Sequence, residues 1–226
     1  MINGRALLAT CMVLCGASLV SAQSFDLAGR YEVAVGGQWL GASSLGTQNA
    51  ALTMGSGTAL NLFQTTSTFG GTLGLEARVA RRLTPRVDLE AFGGVARPAI
   101  ETSVTNDFEN AAPVTASDTV KQFAIGGGLL WYPPVHVRAT RVHPFVLGGA
   151  AYLRQLHESD TLAANGAEFD GGGGVKIILR SRASRLRTVG VRADARLAVS
   201  TRGVAFASGA IVRPVLTAEL FFRSQP

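Results

Sequence analysis

The chain has 226 residues, of which 47% are hydrophobic and 16% charged, with 27 glycines and a formal net charge of +6. This composition excludes intrinsic disorder and fits one domain of the size of an all-β sandwich or barrel. The positive charge makes nucleic acid a candidate partner. However, the arginines are spread over alternate strand positions and short turns, not gathered on one face among aromatic residues, so no nucleic acid is expected to bind.

The chain begins with the pattern of a secretory signal peptide, residues 1–22. Arg5 supplies a positive charge, Ala6 to Val20 forms an apolar run, and small residues precede a cleavage site before Gln23. The apolar run is short for a membrane-spanning helix, and an uncleaved anchor is the alternative. Residues 23–226 are then expected to form the mature domain.

Both cysteines, Cys11 and Cys15, lie inside this signal. A lipoprotein would keep one of them as its lipidated first residue, but the preceding Thr10 and Leu14 fit that pattern poorly. We therefore expect a mature chain without cysteine, and so without disulfides or thiolate metal sites. No metal and no cofactor are expected elsewhere in the chain.

Eight segments with alternating polar and apolar residues follow, and each predicts a β-strand of roughly 10 to 13 residues. Soluble strands are shorter, at about five or six residues, whereas this length crosses a bilayer at a tilt. The predicted strands are Arg30 to Leu40, Ser67 to Leu83, Arg86 to Arg97, Val120 to Tyr132, Pro144 to Leu156, Phe169 to Arg180, Arg187 to Val199 and Gly209 to Arg223.

The seventh segment, Arg187 to Val199, shows the alternation most clearly. Aliphatic residues such as Val191 occupy one face of a strand, and Arg192, Asp194 and Arg196 occupy the other. In a soluble protein the aliphatic face would form the core. In a transmembrane barrel that face would meet lipid, and the charged residues would point into the lumen.

The connections between the segments alternate in length. Gly41 to Thr66, Ser103 to Thr119 and His157 to Ala167 are predicted as long loops by their composition, whereas Thr84-Pro85 makes a tight turn. Long loops at one end with short turns at the other are typical of outer-membrane barrels, and an even strand number closes without an edge. We predict an all-β fold, an eight-stranded antiparallel up-and-down transmembrane β-barrel, with a soluble β-sandwich as the alternative.

The faces opposite the aliphatic ones would fill the lumen. An eight-stranded barrel has an interior only wide enough for side chains, and an unpaired buried charge is costly, so acids and bases should pair there. We predict a lumen plugged by ion pairs with little or no open channel. The candidates are Glu32, Glu76, Arg78, Asp88, Glu90, Lys176, Arg192, Asp194, Arg196 and Glu219.

Aromatic residues near the strand ends predict girdles at the two membrane interfaces. The short turns at one rim are rich in arginine, which could face anionic headgroups or simply keep the turns soluble. The aromatic candidates are Tyr31, Trp39, Phe123, Trp131, Phe145 and Phe222.

Catalytic motifs are scarce. The histidine nearest to a nucleophile is His157, beside Glu158 and Ser159 in a predicted loop, and such a neighbourhood arises more often by chance than as a site. Gly171 to Gly174 lacks the Lys-Ser/Thr and the helix that would follow in a phosphate loop, so it is read as part of a strand. We expect no enzymatic activity.

The mature chain resembles the small OmpA/OmpX-type outer-membrane β-barrel domains. The resemblance lies in His143-Pro-Phe-Val-Leu-Gly-Gly-Ala-Ala-Tyr152, Gly173-Gly-Val-Lys-Ile177, Val191-Arg-Ala-Asp-Ala-Arg196 and Leu216-Thr-Ala-Glu-Leu-Phe-Phe222. It implies a place in the bacterial outer membrane, contact with outer-membrane lipids, and assembly through the barrel-assembly machinery. There are two departures: residues 223–226 follow the terminal aromatic, and no periplasmic domain follows the barrel, so peptidoglycan anchoring is not implied.

The fold implies location better than activity. We expect a monomeric structural or surface-interaction protein of the cell envelope, with exposed loops whose partner the sequence does not identify. A small porin-like channel is the main alternative. A lipid-modifying enzyme and a soluble lipocalin-like binding barrel are the others.

Overall fold

The computed structural model of the chain describes residues 31–53, 59–109, 111–134, 141–157, 163–181, 188–202 and 210–224. The predicted signal peptide with both cysteines lies outside these residues, as do Glu158 and Ser159 beside His157. Within the described ranges, no helix is long and apolar enough to span a membrane.

Regular structure in this part of the chain consists of β-strands. Successive side chains of a strand point to opposite faces, with a period of two. The strands are β1 (Tyr31–Leu40), β2 (Ser43–Thr53), β3 (Ala59–Phe69), β4 (Thr72–Thr84), β5 (Val87–Ala96), β6 (Ala99–Thr105), β7 (Val114–Trp131), β8 (Val142–His157), β9 (Ala163–Ser181), β10 (Thr188–Arg202) and β11 (Ile211–Arg223).

Eight of these strands close into an antiparallel barrel. Around the barrel the order is β1, β4, β5, β7, β8, β9, β10 and β11, and β11 pairs back with β1. The predicted all-β, eight-stranded antiparallel barrel is therefore confirmed. We call the end that holds the tight turn between β4 and β5 the lower rim, and the opposite end the upper rim.

The other three strands continue the barrel wall beyond the upper rim. β2 follows β1 after a break at Gly41-Ala42, β3 leads into β4 across Gly70-Gly71, and β6 follows β5 after Arg97-Pro98. Together with the first part of β7 they form a four-stranded sheet in the order β2, β3, β6, β7. We call this sheet the upper sheet.

The prediction of loops at Gly41 to Thr66 and Ser103 to Thr119 is thus largely wrong, because most of these residues lie in strands. The predicted loop at His157 to Ala167 likewise contains the start of β9, and β7 and β9 reach 18 and 19 residues. The physical reason is that strands rising into water need no apolar face. Their Thr, Asn and Gln residues then look like a loop, although threonine fits a strand well.

The barrel is apolar outside and polar inside. Along β11 every second residue from Ile211 to Arg223 is buried and the residues between them are exposed. Glu219 is only 2% exposed, whereas Leu220 beside it is 49% exposed. This reverses the arrangement of a soluble protein, in which charged residues are almost never fully buried unless paired.

Two strands come unusually close at Gly36. A Cβ atom at this position would overlap the backbone carbonyl oxygen of Ala218 on β11. At the next residue, Gly37, a Cβ atom would meet only the carbonyl oxygen of Gly74, at 3.9 Å. The close approach of the strands therefore requires glycine at position 36, whereas position 37 has room for a methyl group.

We expect Gly36→Ala to destabilise the barrel by about 1 to 3 kcal/mol, because the new methyl group forces β1 away from β11. Gly37→Ala is the matched control, and its stability should remain close to that of the wild type. The measurement is the urea midpoint of unfolding in lipid vesicles. Equal midpoints for the two variants would contradict the close approach.

Candidate functional site in the barrel interior

Ion pairs fill the barrel interior in three layers. All ten residues predicted for the lumen lie in this interior, and the structure adds five more charged side chains to them. The carboxylates are Glu32, Glu76, Asp88, Glu90, Glu168, Asp170, Asp194 and Glu219, and the cations are Arg78, Arg82, Lys176, Arg192, Arg196, Arg213 and Arg223.

The lower layer is built around Lys176 of β9, which is fully buried. Its Nζ atom donates to Glu32 Oε1 at 2.6 Å, and the same carboxylate accepts a hydrogen bond from Arg223. The ammonium group also lies 5.7 Å from the ring centroid of Tyr132 and 5.8 Å from that of Phe145. The desolvated charge is therefore balanced by a carboxylate and by the faces of aromatic rings.

Asp88 extends this layer towards β4 and β5. It accepts a hydrogen bond from the Tyr132 hydroxyl at 2.7 Å and another from Arg82 Nε at 2.9 Å. Lys176 Nζ lies 3.9 Å from the same carboxylate. Asp88 thereby links the tyrosine, the arginine and the lysine at the lower end of the interior.

The central layer depends on Arg78 and Arg192. Arg78 donates to Glu219 at 3.0 Å, to Glu90 at 3.1 Å and to Glu76. Arg192 Nη1 reaches Glu90 Oε1 at 2.5 Å. Because β10 and β5 lie directly opposite each other in the ring of eight strands, this pair spans the barrel.

Arg196 joins the central layer to the wall above it. Its Nη2 atom lies 3.1 Å from Glu76 Oε2, its Nη1 atom lies 2.9 Å from Asp170 Oδ2, and its Nε atom lies 3.0 Å from Asp194 Oδ1. Each guanidinium group in this layer forms ion pairs with several carboxylates. A buried network of this kind is stable only if few of its charges lack a partner.

The upper layer crosses the barrel through Arg213. Its Nη2 atom donates to Glu168 Oε2 at 2.6 Å, and its Nη1 atom donates to Gln122 Oε1 at 3.1 Å. Gln122 lies on β7, directly opposite β11 in the ring. An apolar cluster beyond this layer, at the base of the upper sheet, consists of Leu45, Phe69, Ile100, Val120 and Ile211.

Two small cavities lie between these layers. One cavity of about 20 Å³ lies among Gln38, Glu76, Gln122 and Arg213, and a second of about 10 Å³ lies beside Phe92. A single water molecule needs roughly 10 to 15 Å³ of such space. These cavities therefore have room for about one water molecule each.

The five added cations and acids were not predicted, although the sequence carried a signal for several of them. Continuing the alternation of Thr217 and Glu219 along β11 reaches Arg213 in one direction and Arg223 in the other. Asp170 lies in the predicted strand Phe169 to Arg180 at the same parity as Lys176, so continuing that alternation reaches it as well.

Five of the six predicted interface aromatics lie on the outer surface of the barrel: Tyr31, Trp39, Phe123, Trp131 and Phe222. Phe145 does not, and its predicted place at the membrane interface is wrong. It is 2% exposed and packs inside the barrel against Tyr132, with 6.3 Å between ring centroids. Strand β8 carries apolar residues on both faces, so its alternation does not reveal which face is outside.

The fold matches solved barrels from outer membranes. OprG from Pseudomonas aeruginosa aligns with a TM-score of 0.54 and 11% identity, over 88% of this chain and 97% of that chain. AlkL, solved in lipid bilayers, gives 0.43 and 15% identity, over 93% of this chain and 95% of that chain. The attachment invasion locus protein Ail of Yersinia pestis, solved with a heparin analogue, gives 0.43 and 11% identity, over 87% and 100%.

No family model matches the sequence, and no curated protein matches it significantly. The likeness to OprG, at 11% identity, is a likeness of fold. The class that the structure defines is therefore an eight-stranded β-barrel of the outer-membrane type, with a charged interior.

We expect Glu90→Gln to destabilise the barrel by about 3 to 5 kcal/mol, because it leaves Arg78 and Arg192 with less negative charge in a buried layer. Glu101→Gln on the exposed outer face of β6 is the control and should change stability by less than about 0.5 kcal/mol. Equilibrium unfolding in vesicles measures both. A Glu90→Gln barrel as stable as the control variant would contradict the central layer.

Proposed function

We propose that the protein is an integral outer-membrane β-barrel with a plugged lumen, and that it acts as a structural or surface-interaction protein. The barrel anchors the chain in lipid, and the upper sheet with its loops faces the outside of the cell. The proposal includes removal of residues 1–22 and assembly by the barrel-assembly machinery as a monomer. It assigns the protein no catalytic reaction.

The observation that carries the proposal is the outer surface of the barrel. Leu73, Leu75 and Ile125 point outward with 78%, 64% and 67% of their surface exposed. Similar aliphatic and aromatic residues surround the barrel on every strand of the ring. A surface this apolar is a liability in water, but in lipid it is the favourable arrangement.

The interior supports a plugged barrel over a porin-like channel. Arg192 and Arg213 each reach across the barrel to a partner on the opposite strand. The two cavities described above, of about 20 and 10 Å³, each have room for about one water molecule, which is less than a hydrated ion needs. Opening a path would require several buried ion pairs to break together.

The upper sheet supports a role in surface interaction. Gln64 of β3 donates to Asn49 at 3.1 Å and accepts from Asn106 at 3.2 Å, and Thr47 lies 3.2 Å from Thr66 across β2 and β3. These contacts form a ladder of uncharged polar side chains on the outward face. Such a ladder gives the sheet a defined surface in water, where binding residues are commonly found.

We expect the protein to sediment with the outer membrane and to migrate differently on a denaturing gel before and after boiling. The reason is that a lipid-embedded barrel resists detergent until it is heated. Release from cells by osmotic shock without detergent, together with unchanged mobility on boiling, would contradict the proposed location.

In planar bilayers we expect no reproducible conductance steps from the purified, folded protein, because the three layers close the interior. A general porin serves as the positive control, and a protein-free bilayer as the negative control. Reproducible steps from the folded protein would contradict the plugged lumen and favour the channel alternative.

A further inference from the structure

The described residues of the lower layer carry more positive than negative charge. Its cations are Arg82, Lys176 and Arg223, and its carboxylates are Glu32 and Asp88. Arg82 Nε lies 2.9 Å from Asp88 Oδ1, so this arginine has a carboxylate partner of its own. Lys176 and Arg223 share the other carboxylate, since Glu32 accepts from the lysine through Oε1 and from the arginine through Oε2. One carboxylate therefore balances two buried cations.

Asp88 contributes little to this balance. Its Oδ1 atom accepts a hydrogen bond from Arg82 at 2.9 Å. Its Oδ2 atom accepts from the Tyr132 hydroxyl at 2.7 Å, while Lys176 Nζ stays 3.9 Å away. That separation is too long for a hydrogen bond. The surplus positive charge therefore stays with Lys176 and Arg223.

Arg223 also carries a donor that no described residue satisfies. Its side chain points inward because it continues the buried alternation of β11, and its buried Nη1 atom has no hydrogen-bond acceptor among the described residues. The one acid of β11, Glu219, lies four residues further up the strand, about 13 Å away. Leaving a buried cationic donor unsatisfied is costly. The position therefore favours a ligand that accepts a hydrogen bond and carries negative charge.

The connections between strands at the lower rim bring no acidic side chain to this position. Residues 85–86, 132–141 and 182–187 contain neither aspartate nor glutamate. The same connections hold six arginines, namely Arg86, Arg138, Arg141, Arg182, Arg185 and Arg187. The sequence of these connections therefore adds to the positive charge at this end of the barrel.

The lower layer is open to the aqueous phase and separated from the lipid. The side chain of Arg82, in this layer, is 16% exposed. Arg223 faces the interior, whereas Phe222 beside it is exposed on the outer surface. A lipid headgroup outside the barrel is thus on the other side of the wall from Arg223. A ligand of this layer has to come from water.

The surplus amounts to one charge, which a monovalent anion balances. A divalent anion would exceed the surplus and would cost more to remove from water. We propose that the lower layer binds one small monovalent anion of the chloride class, which accepts a hydrogen bond from Arg223 Nη1 and balances the charge that Lys176 and Arg223 share. This site belongs to the barrel interior and does not depend on the proposed surface role.

The test is equilibrium unfolding of the full, folded protein by urea in phosphatidylcholine vesicles, in sodium chloride or in sodium gluconate at equal ionic strength. Gluconate is too bulky for a buried site. Chloride at ten times its dissociation constant should lower the unfolding equilibrium constant about tenfold, because it binds the native state alone. The matched control is Arg81→Gln, an outward arginine beside Tyr31 at the same rim, which should respond to chloride as the wild type does.

Two variants remove the surplus charge in different ways. Arg223→Gln deletes a cation, and Thr188→Asp places a carboxylate on the buried residue that pairs with Arg223 across β10 and β11. Both should lose the response to chloride. A full response in either folded variant would overturn the proposal. A wild type with the same midpoint in both salts would overturn it as well, and is the result expected if Lys176 is buried without its proton.

If Arg223→Gln does not fold, Thr188→Asp carries the test, because it adds a counter-charge and deletes none. If neither variant folds, crystals of the wild-type protein grown in sodium bromide decide the matter. Bromide replaces chloride in such sites and is located by its anomalous scattering. A bromide peak in contact with Arg223 Nη1 is expected, and crystals without a peak at that position would contradict the anion site.

Discussion

The structure depends on neutralising charge inside a closed ring of eight strands. The interior of such a ring is only as wide as its side chains, so a cation on one strand meets an anion on the strand across the axis. Arg192 and Glu90 form such a pair, whereas Arg213 crosses the axis to the neutral amide of Gln122 and pairs with Glu168. Closing the ring buries these charged groups, and the pairs across the axis offset the cost of burying them.

Because the charged residues point into the ring, the outer surface of the barrel is apolar. Once the polar side chains are used inside, the alternation of each strand leaves Val, Leu, Ile and aromatic residues outside, where lipid accommodates them. The wall continues past the apolar belt into the upper sheet, whose side chains bond to each other as Gln64 does to Asn49. The proposed surface role is supported by the ion-paired barrel interior below and the polar sheet above.

Much of this architecture could be predicted from the period of two. Clear alternation, as in β10, indicates both the strand and its inward residues, including Arg192 and Asp194. The contacts inside the barrel could not be predicted in this way, because they depend on the register between strands. Arg192 and Glu90 are 102 residues apart, and their contact follows from strand order and shear, which no local pattern contains. The alternation does not identify the inward face of a strand whose two faces are alike. Strand β8 is apolar on both faces, so Phe145 was wrongly predicted to lie outside. Strand β2 is largely polar, so its residues were wrongly predicted to form a loop.

The most direct test of an apolar exterior around a charged interior uses the two tryptophans of the chain, Trp39 and Trp131. Both point outward, one towards the upper rim and one at the lower rim, and are 39% and 47% exposed. In vesicles of brominated lipids, their fluorescence should be strongly quenched, most by bromine placed near the headgroups, and only weakly by acrylamide in the water. Strong quenching by acrylamide with none by the brominated lipids would contradict a lipid-facing exterior.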